Sequence, residues 1–463
     1  MSASSIRKIF SRYAPLDYVL LAMLFTIASY QLWQLEEVTM TGLGTAMLKT
    51  LLILIAYGIA LYALLWSIRR IALAYGVHLG SWGSDTALDV FIKARRNKLT
   101  RSGGGRPLDR GRSQSLLGLA LGERGARGSD AEALRQSAEA FRQALPALHA
   151  AGKDEAAALT RSNLAVTLLR LSRQEIGRRS LDEAVEALRS AAAALKKAGN
   201  TPDWVEVQFL LCAALRELGR LEDGTERLTE AVAAGRAALA AEDNTEVPMA
   251  EARLQINLAQ ALASLGEREA GTERLEEAAA MARDSLQVIA EDKDDILKAE
   301  ESRAWRRLQL GNLGSALRCL GECRNDSGLL REAVDSLREA AALETENEGY
   351  DWALVQSELA RALSSLGAQA ESLSASDAAL AVLSREDYPF DWALAVSARA
   401  RTLAFSAVGD PDPAALRRAR DDLEAALAVF MQADAPVQCR GCRQARDRVT
   451  ARLDESTGRG TED

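Results

Sequence analysis

Cys439 and Cys442, spaced Cys-x-x-Cys, are the residues of this 463-residue chain whose types and spacing most directly suggest chemistry. Such a pair could form a redox dithiol or half of a four-thiolate zinc site. A thioredoxin-type pair needs a βαβ setting, and the surrounding sequence has a helical pattern instead. Cys319 and Cys323 would complete four thiolates, but about two structural repeats intervene and a repeat stack keeps distant units apart. Cys439 and Cys442 therefore read as two incidental thiols in a reducing compartment, with Cys212 a small packing residue. The chain has only two histidines, His78 and His149. That leaves almost no material for a histidine metal site or a Ser-His-Asp triad. Gly103-Gly104-Gly105 is no phosphate loop, because no Gly-Lys-Ser/Thr follows. The many Glu and Asp pairs look like solvated helix faces. No metal, cofactor or catalytic residue is expected, and the chain is not expected to be an enzyme.

The elements that must position these residues recur. Gly125, Ser172, Gly219 and Gly266 lie 47 residues apart, and Gly321, Gly367 and Gly409 close near-equivalent segments. Gly224-Thr225-Glu226-Arg227-Leu228 returns as Gly271-Thr272-Glu273-Arg274-Leu275 at that same step. Within one unit, residues 252–262 place apolar side chains at helical spacing, and Gly266 is expected to stop the helix with a left-handed turn. A second helix enters through Thr272, with Glu273, Glu276 and Glu277 at its positive end. Ser129 with Glu132, and Ser180 with Glu183, have capping-box spacing. Gly118, Ala165, Cys212, Ala259, Gly314 and Ala360 share one register, seven residues before each landmark, where helices must cross closely. Twelve residues beyond the landmark, Ala184, Ala231, Ala278, Ala333 and Ala379 share another. Leu121, Leu168, Leu215, Leu262, Leu317 and Leu363 fill the core in register. A repeat of this size, each unit an apolar helix pair, predicts an all-α solenoid.

The formal net charge is −8. Residues 1–113 carry 14 Lys/Arg against 6 Asp/Glu, so the remainder sits near −16. An acidic array argues against nucleic acid, which calls for a basic face.

Leucine, a small residue, a large apolar residue, glycine, then small and aliphatic positions resemble the tetratricopeptide repeat, across roughly Gln114 to Asp434. The usual unit of about 34 residues is shorter than here, where about seven more separate the glycine from the next small residue. The chain is similar to the long-repeat bacterial variety, whose units open Asp-Trp-Ala, as in Asp351-Trp352-Ala353, Asp391-Trp392-Ala393 and the partial Asp203-Trp204. Trp204, Trp352 and Trp392 share the start of the first helix and are expected to pack between repeats. The resemblance implies a right-handed superhelix whose first helices face a concave groove. It implies that Asn163, Asn257 and Asn312, nine residues ahead of their landmarks, face that groove and pair with the N–H and C=O of an extended peptide. Arg170, Arg216, Arg318 and Arg361 lie near the same face and could meet a partner's carboxylates. The last unit departs most, with Asp410-Pro411-Asp412-Pro413 after its glycine and Arg401 where leucine is expected.

Leu16 to Leu35 and Leu48 to Ile68 are each about the 20 apolar residues that cross a bilayer. Tyr18, Trp33 and Trp66 fall near their ends. Arg7, Lys8 and Arg12 precede the first and Arg69 and Arg70 follow the second, while Glu36 and Glu37 occupy the loop, so both ends are expected in the cytoplasm. A cleaved signal peptide is disfavoured, since the A-x-A site is missing. A short helix capped by Ser84 or Asp85 is expected to about Leu99, with Leu88, Phe91 and Ile92 on one side. The basic run across residues 93–112 suits a linker on the positive-inside face or, alternatively, a grip on anionic lipid.

The expected organisation is a basic tail (1–15), two transmembrane helices (16–70), a juxtamembrane helix and basic Gly-rich linker (71–113), a repeat domain (114–435), and a cap helix with a disordered tail (436–463). The expected role is a scaffold at the cytoplasmic membrane that holds a partner protein, as a peptide or helix segment, in the groove of its cytoplasmic repeats. The alternative is a regulatory subunit or sensor that contacts a membrane enzyme, transporter or signalling complex through the spans.

Overall fold

The computed structural model describes residues 85–101, 106–242, 248–291, 299–343, 349–406 and 412–458. The basic tail, both apolar spans, the triple glycine, Gly409 and the final residues lie outside this set. Among the described residues no helix is long and apolar enough to cross a membrane. These residues form sixteen α-helices and no strand.

Helix α1 (Asp85–Arg101) packs Leu88 and Ile92 against Leu117, Ala120 and Leu121. Seven antiparallel hairpins follow. They are α2 (Pro107–Gly128) with α3 (Ala131–Ala150), α4 (Asp154–Gln174) with α5 (Arg179–Ala198), and α6 (Thr201–Leu221) with α7 (Glu226–Glu242). Next come α8 (Pro248–Gly266) with α9 (Glu273–Glu291), α10 (Ala299–Arg324) with α11 (Ser327–Ala342), α12 (Tyr350–Leu366) with α13 (Gln369–Val382), and α14 (Pro389–Ser406) with α15 (Pro413–Gln432). Helix α16 (Pro436–Gly458) packs on α15. The basic linker expected to reach residue 113 therefore ends at Pro107, which starts α2 without loss because a first-turn N–H has no partner anyway.

First helices pack on the first helices of neighbouring hairpins, whereas second helices stand further apart. The stack thus curves into a tetratricopeptide-like solenoid with first helices inside. Arginines span the outer gaps: Arg142 reaches Glu183 at 2.7 Å, and Arg189 to Glu230, Arg236 to Glu277 and Arg283 to Glu332 each close at 2.5 Å. Each pair is half-exposed and contributes only about 0.2–1 kcal/mol. Their shared register is absent from the sequence reading, which took such charges for solvated faces.

The landmark glycines do a different job from the one expected. Among those described, only Gly367 is left-handed, at φ 88°. Gly266 ends α8 without a positive φ, and Gly125, Gly219 and Gly321 are helical. Each instead admits a leucine of the second helix: a Cβ on Gly125, Gly219, Gly266 or Gly321 would lie 2.7–2.8 Å from Leu134, Leu228, Leu275 or Leu330. Neither capping box forms. Asp130 caps α3 by accepting from the N–H of Glu132 and Ala133, with Ser129 left-handed before it. Arg178 precedes α5 without a side-chain cap, and Ser180 donates to Glu175 instead.

The small crossing residues and register leucines are buried as expected, with one slip. Ser137 Oγ donates to Gly118 O at 2.7 Å, and Ser372 Oγ makes the same bond to Ala360 O at 2.7 Å. Ser372, not Ala379, is thus the partner of Ala360, because that hairpin lacks the seven extra residues of the others. The Asp-Trp-Ala motif keeps step where the glycine does not: Ala400 follows Trp392 as Ala360 follows Trp352. That register puts Leu403 in the leucine place and Arg401 beside Ala400, just as Arg361 stands beside Ala360.

Candidate binding cavity on the inner face

The two ends of the stack meet through polar contacts. Arg220 of α6 reaches Asp391 of α14 at 3.2 Å and stacks over the Phe390 ring at 5.5 Å. Asp391, buried, also accepts the Tyr350 hydroxyl at 2.7 Å, and Arg173 lies over the Tyr350 ring at 4.7 Å. Ser129 Oγ and Tyr388 OH are 3.1 Å apart. Helix α16 crosses the same gap: Gln438 donates to Arg220 O at 3.0 Å, and Arg440 pairs with Asp223 at 2.7 Å. It is held in place by Cys439, Cys442, Val449 and Leu453, which join the main apolar core. It is more than a terminal cap.

Inside this closure lies a cavity of about 490 Å³. Its wall comes from the first helices of five hairpins, from Leu228 of α7, from α15, and from Val437, Gln438, Gly441, Cys442 and Ala445 of α16. The lining is rich in charge. Glu267 meets Arg318 at 2.7 Å and Arg361 at 3.7 Å, while Glu358 meets Arg361 at 2.7 Å. Burial pushes the Glu267 carboxyl up, but the guanidiniums of Arg361 and Arg318 outweigh it and hold the group at about 2. Burial is likewise overcome at Glu217, behind the wall, where Arg216, Arg220 and Arg173 hold the carboxyl at about 2. Interior charges need such partners.

No protein-family model matches the chain, and no curated protein matches it. Among solved structures, the chain is similar to the apo quorum sensor NprR from B. thuringiensis, at 12% identity over 79% of this chain and 97% of that one, with a TM-score of 0.43. NprR in complex with its cognate peptide NprX matches at 12% identity over 78% and 95%, with a TM-score of 0.45. A Podosopora anserina putative kinesin light chain with nearly identical TPR-like repeats matches at 18% identity over 51% and 97%, with a TM-score of 0.37.

The structure divides the residues expected in the groove. Asn312, Arg216 and Arg361 line the cavity. Asn312 is buried and donates to Ile256 O at 3.2 Å and to Gln309 Oε1 at 2.7 Å. Asn257 is off the lining and donates to Phe209 O at 3.1 Å, which ties α8 to α6. In both, the amide N–H meant for a peptide already holds neighbouring first helices together. Asn163 and Arg170 lie off the lining, and burial lowers the Arg170 pKa. Arg318 is only 2% exposed and is engaged by Glu267, Glu322 and Glu358.

Sequence reasoning missed Arg220, Glu267, Arg268, Glu358, Asp391 and Arg401, all of which line the cavity. One signal was available: Ala360-Arg361 recurs as Ala400-Arg401 at the step of the Asp-Trp-Ala motif. Cys212, Cys319, Cys439 and Cys442 are buried packing residues, whereas Cys323 is exposed. Burial pushes the Cys212 thiol up to about 12 and Cys442 to about 11, and all five cysteines are free. Trp352 donates to Ala341 O at 3.3 Å, and Trp204 and Trp392 pack against the core. No cluster of metal-binding side chains occurs among the described residues.

Proposed function

We propose that this chain is a membrane-anchored binding protein, without chemistry of its own, that holds a partner polypeptide in the inner cavity of a cytoplasmic solenoid. The observation that carries this is the composition of the wall: five first helices, α15 and α16 converge on one space lined by both charged and apolar side chains. A segment lying there would touch surfaces far apart in sequence, which favours recognition of shape and charge together.

Anchoring is the part of the proposal that rests on the sequence. Residues 16–35 and 48–68 have the length and polarity of spans, and the positive flanks put the repeats in the cytoplasm. Lys93, Lys98, Arg101, Arg106, Arg110 and Arg112 are open to solvent at the start of the solenoid, in keeping with contact to anionic headgroups. Tethering raises the effective concentration of a weak site for partners at the membrane.

Site-specific photocrosslinking of the full chain in its native membrane tests the placement. A crosslinker at Gln260 or Ser315, both on the cavity wall, is expected to capture a polypeptide that one at Arg236 on the outer face does not. Capture from Arg236 alone would sink the groove.

A further inference from the structure

The ion pairs of the cavity leave guanidinium donors over. Five arginines line it (Arg216, Arg220, Arg268, Arg361 and Arg401) against four carboxylates, Glu267, Asp351, Glu358 and Asp391. Arg220 and Arg361 are matched by Asp391 and Glu358. Arg268 turns its guanidinium to three main-chain carbonyls, Glu222 at 2.6 Å, Gly224 at 2.9 Å and Arg220 at 3.3 Å. Arg216 pairs one Nη with Glu217 at 2.5 Å, but its Nε is buried with no hydrogen-bond partner. Arg401 has no ion pair with any described residue. Its side chain is open to the water of the cavity yet ringed by protein, and that enclosure, followed by the charge of Arg361, lowers its pKa.

A guanidinium on a concave wall that holds no ion pair within the protein is available to an anion carried by a ligand. Charge-assisted bonds from Arg to a carboxylate are among the strongest and most directional that a side chain makes.

We propose that the cavity is a carboxylate-binding site, in which Arg401 supplies the ionic contact to an acidic ligand. The proposal deepens the groove reading and rests on it for where the ligand lies. The carboxylate comes either from an acidic residue of the partner polypeptide or from a free organic acid.

The test uses the full chain in detergent micelles and three probes: a capped tetrapeptide of four glutamates, its glutamine counterpart, and citrate. Affinities are measured calorimetrically for the native chain, for Arg401→Gln, and for Arg236→Gln on the outer face as control. At least one acidic probe is expected to bind, the glutamine peptide is not, and Arg401→Gln is expected to weaken binding about tenfold or more while Arg236→Gln leaves it unchanged. Since Arg401 has no ion pair to lose, Arg401→Gln should leave the melting temperature without ligand unchanged, which separates lost binding from lost folding. Binding of the peptide alone assigns the carboxylate to the partner chain, and binding of citrate alone assigns it to a small acid. Failure of both acidic probes, or equal affinity in Arg401→Gln, overturns the site. Crosslinking from Ser315 keeps the two readings apart: a polypeptide captured equally well by Arg401→Gln leaves the groove standing and removes the carboxylate site.

Discussion

Glu217 and Glu267 show how little a residue's sequence neighbours say about its charge. Glu217 has Arg216 and Arg220 nearby in sequence, but Arg173 also faces it across helices, and Glu267 meets Arg318 and Arg361 from other hairpins. Their carboxyls sit near 2 in the folded chain against an ordinary value of 4.5. They therefore favour the folded state above about pH 4.5, and that contribution is lost as pH falls toward about 2. Glu217→Gln is expected to be less stable at neutral pH, because Arg216 and Arg220 lose their partner, and to lose stability less steeply through this acid window. Denaturant unfolding at several pH values checks it, and an unchanged acid slope in the variant would refute the assignment. Arg216 and Arg220 stand beside Glu217 in the sequence, but the approach of Arg173 to it, and of Arg318 and Arg361 to Glu267, depends on how the hairpins stack. Arg401 is the sharpest case. It looked like a departure from the repeat pattern and is the unmatched cation on the cavity wall.

Within the helices, the glycine landmark marks close approach more than chain reversal. Gly219→Ala would set a Cβ 2.8 Å from Leu228, a fully buried side chain, and is expected to cost about 1–3 kcal/mol through overpacking. Gly441 in α16 has nothing within 4 Å of the corresponding position, so Gly441→Ala is expected to gain up to about 1 kcal/mol from helix propensity. Thermal or urea unfolding of the pair decides it. Equal effects would mean that the leucine contact is not what the glycine provides. The recurrence of these glycines was legible because each helix crossing repeats the same steric demand. The mechanism was not, because a helical glycine and a terminating glycine look alike in a sequence. The slip at Ser372 was hidden for a related reason: losing seven residues, about two helical turns, preserves the facing of every side chain while changing its partner.

For the molecule as a whole, closure depends on α16. Arg440 and Asp223 are both open to solvent, so their ion pair contributes little. The apolar side of α16, with Cys439, Cys442, Val449 and Leu453 in the core, contributes more. Truncation after Asp434 is therefore expected to open the contact between first and last hairpins, whereas Arg440→Glu alone is not. A bismaleimide joining Ser129→Cys to Tyr388→Cys, in a Cys323→Ser background, reports that contact. Efficient crosslinking after truncation would show that the ends meet without the strap.

Much of what repeats could be read from the chain alone: the helix pairs, the packed small residues and leucines, the tryptophan register and the tetratricopeptide-like stack. Each follows from local spacing, because a helix buries the same face wherever it occurs. Everything made once needed the folded molecule: the closure of α6 against α14, the place of α16, the cavity, and which arginines are matched. Those depend on how small rotations between hairpins accumulate until the ends of the stack meet, and no single unit carries that sum.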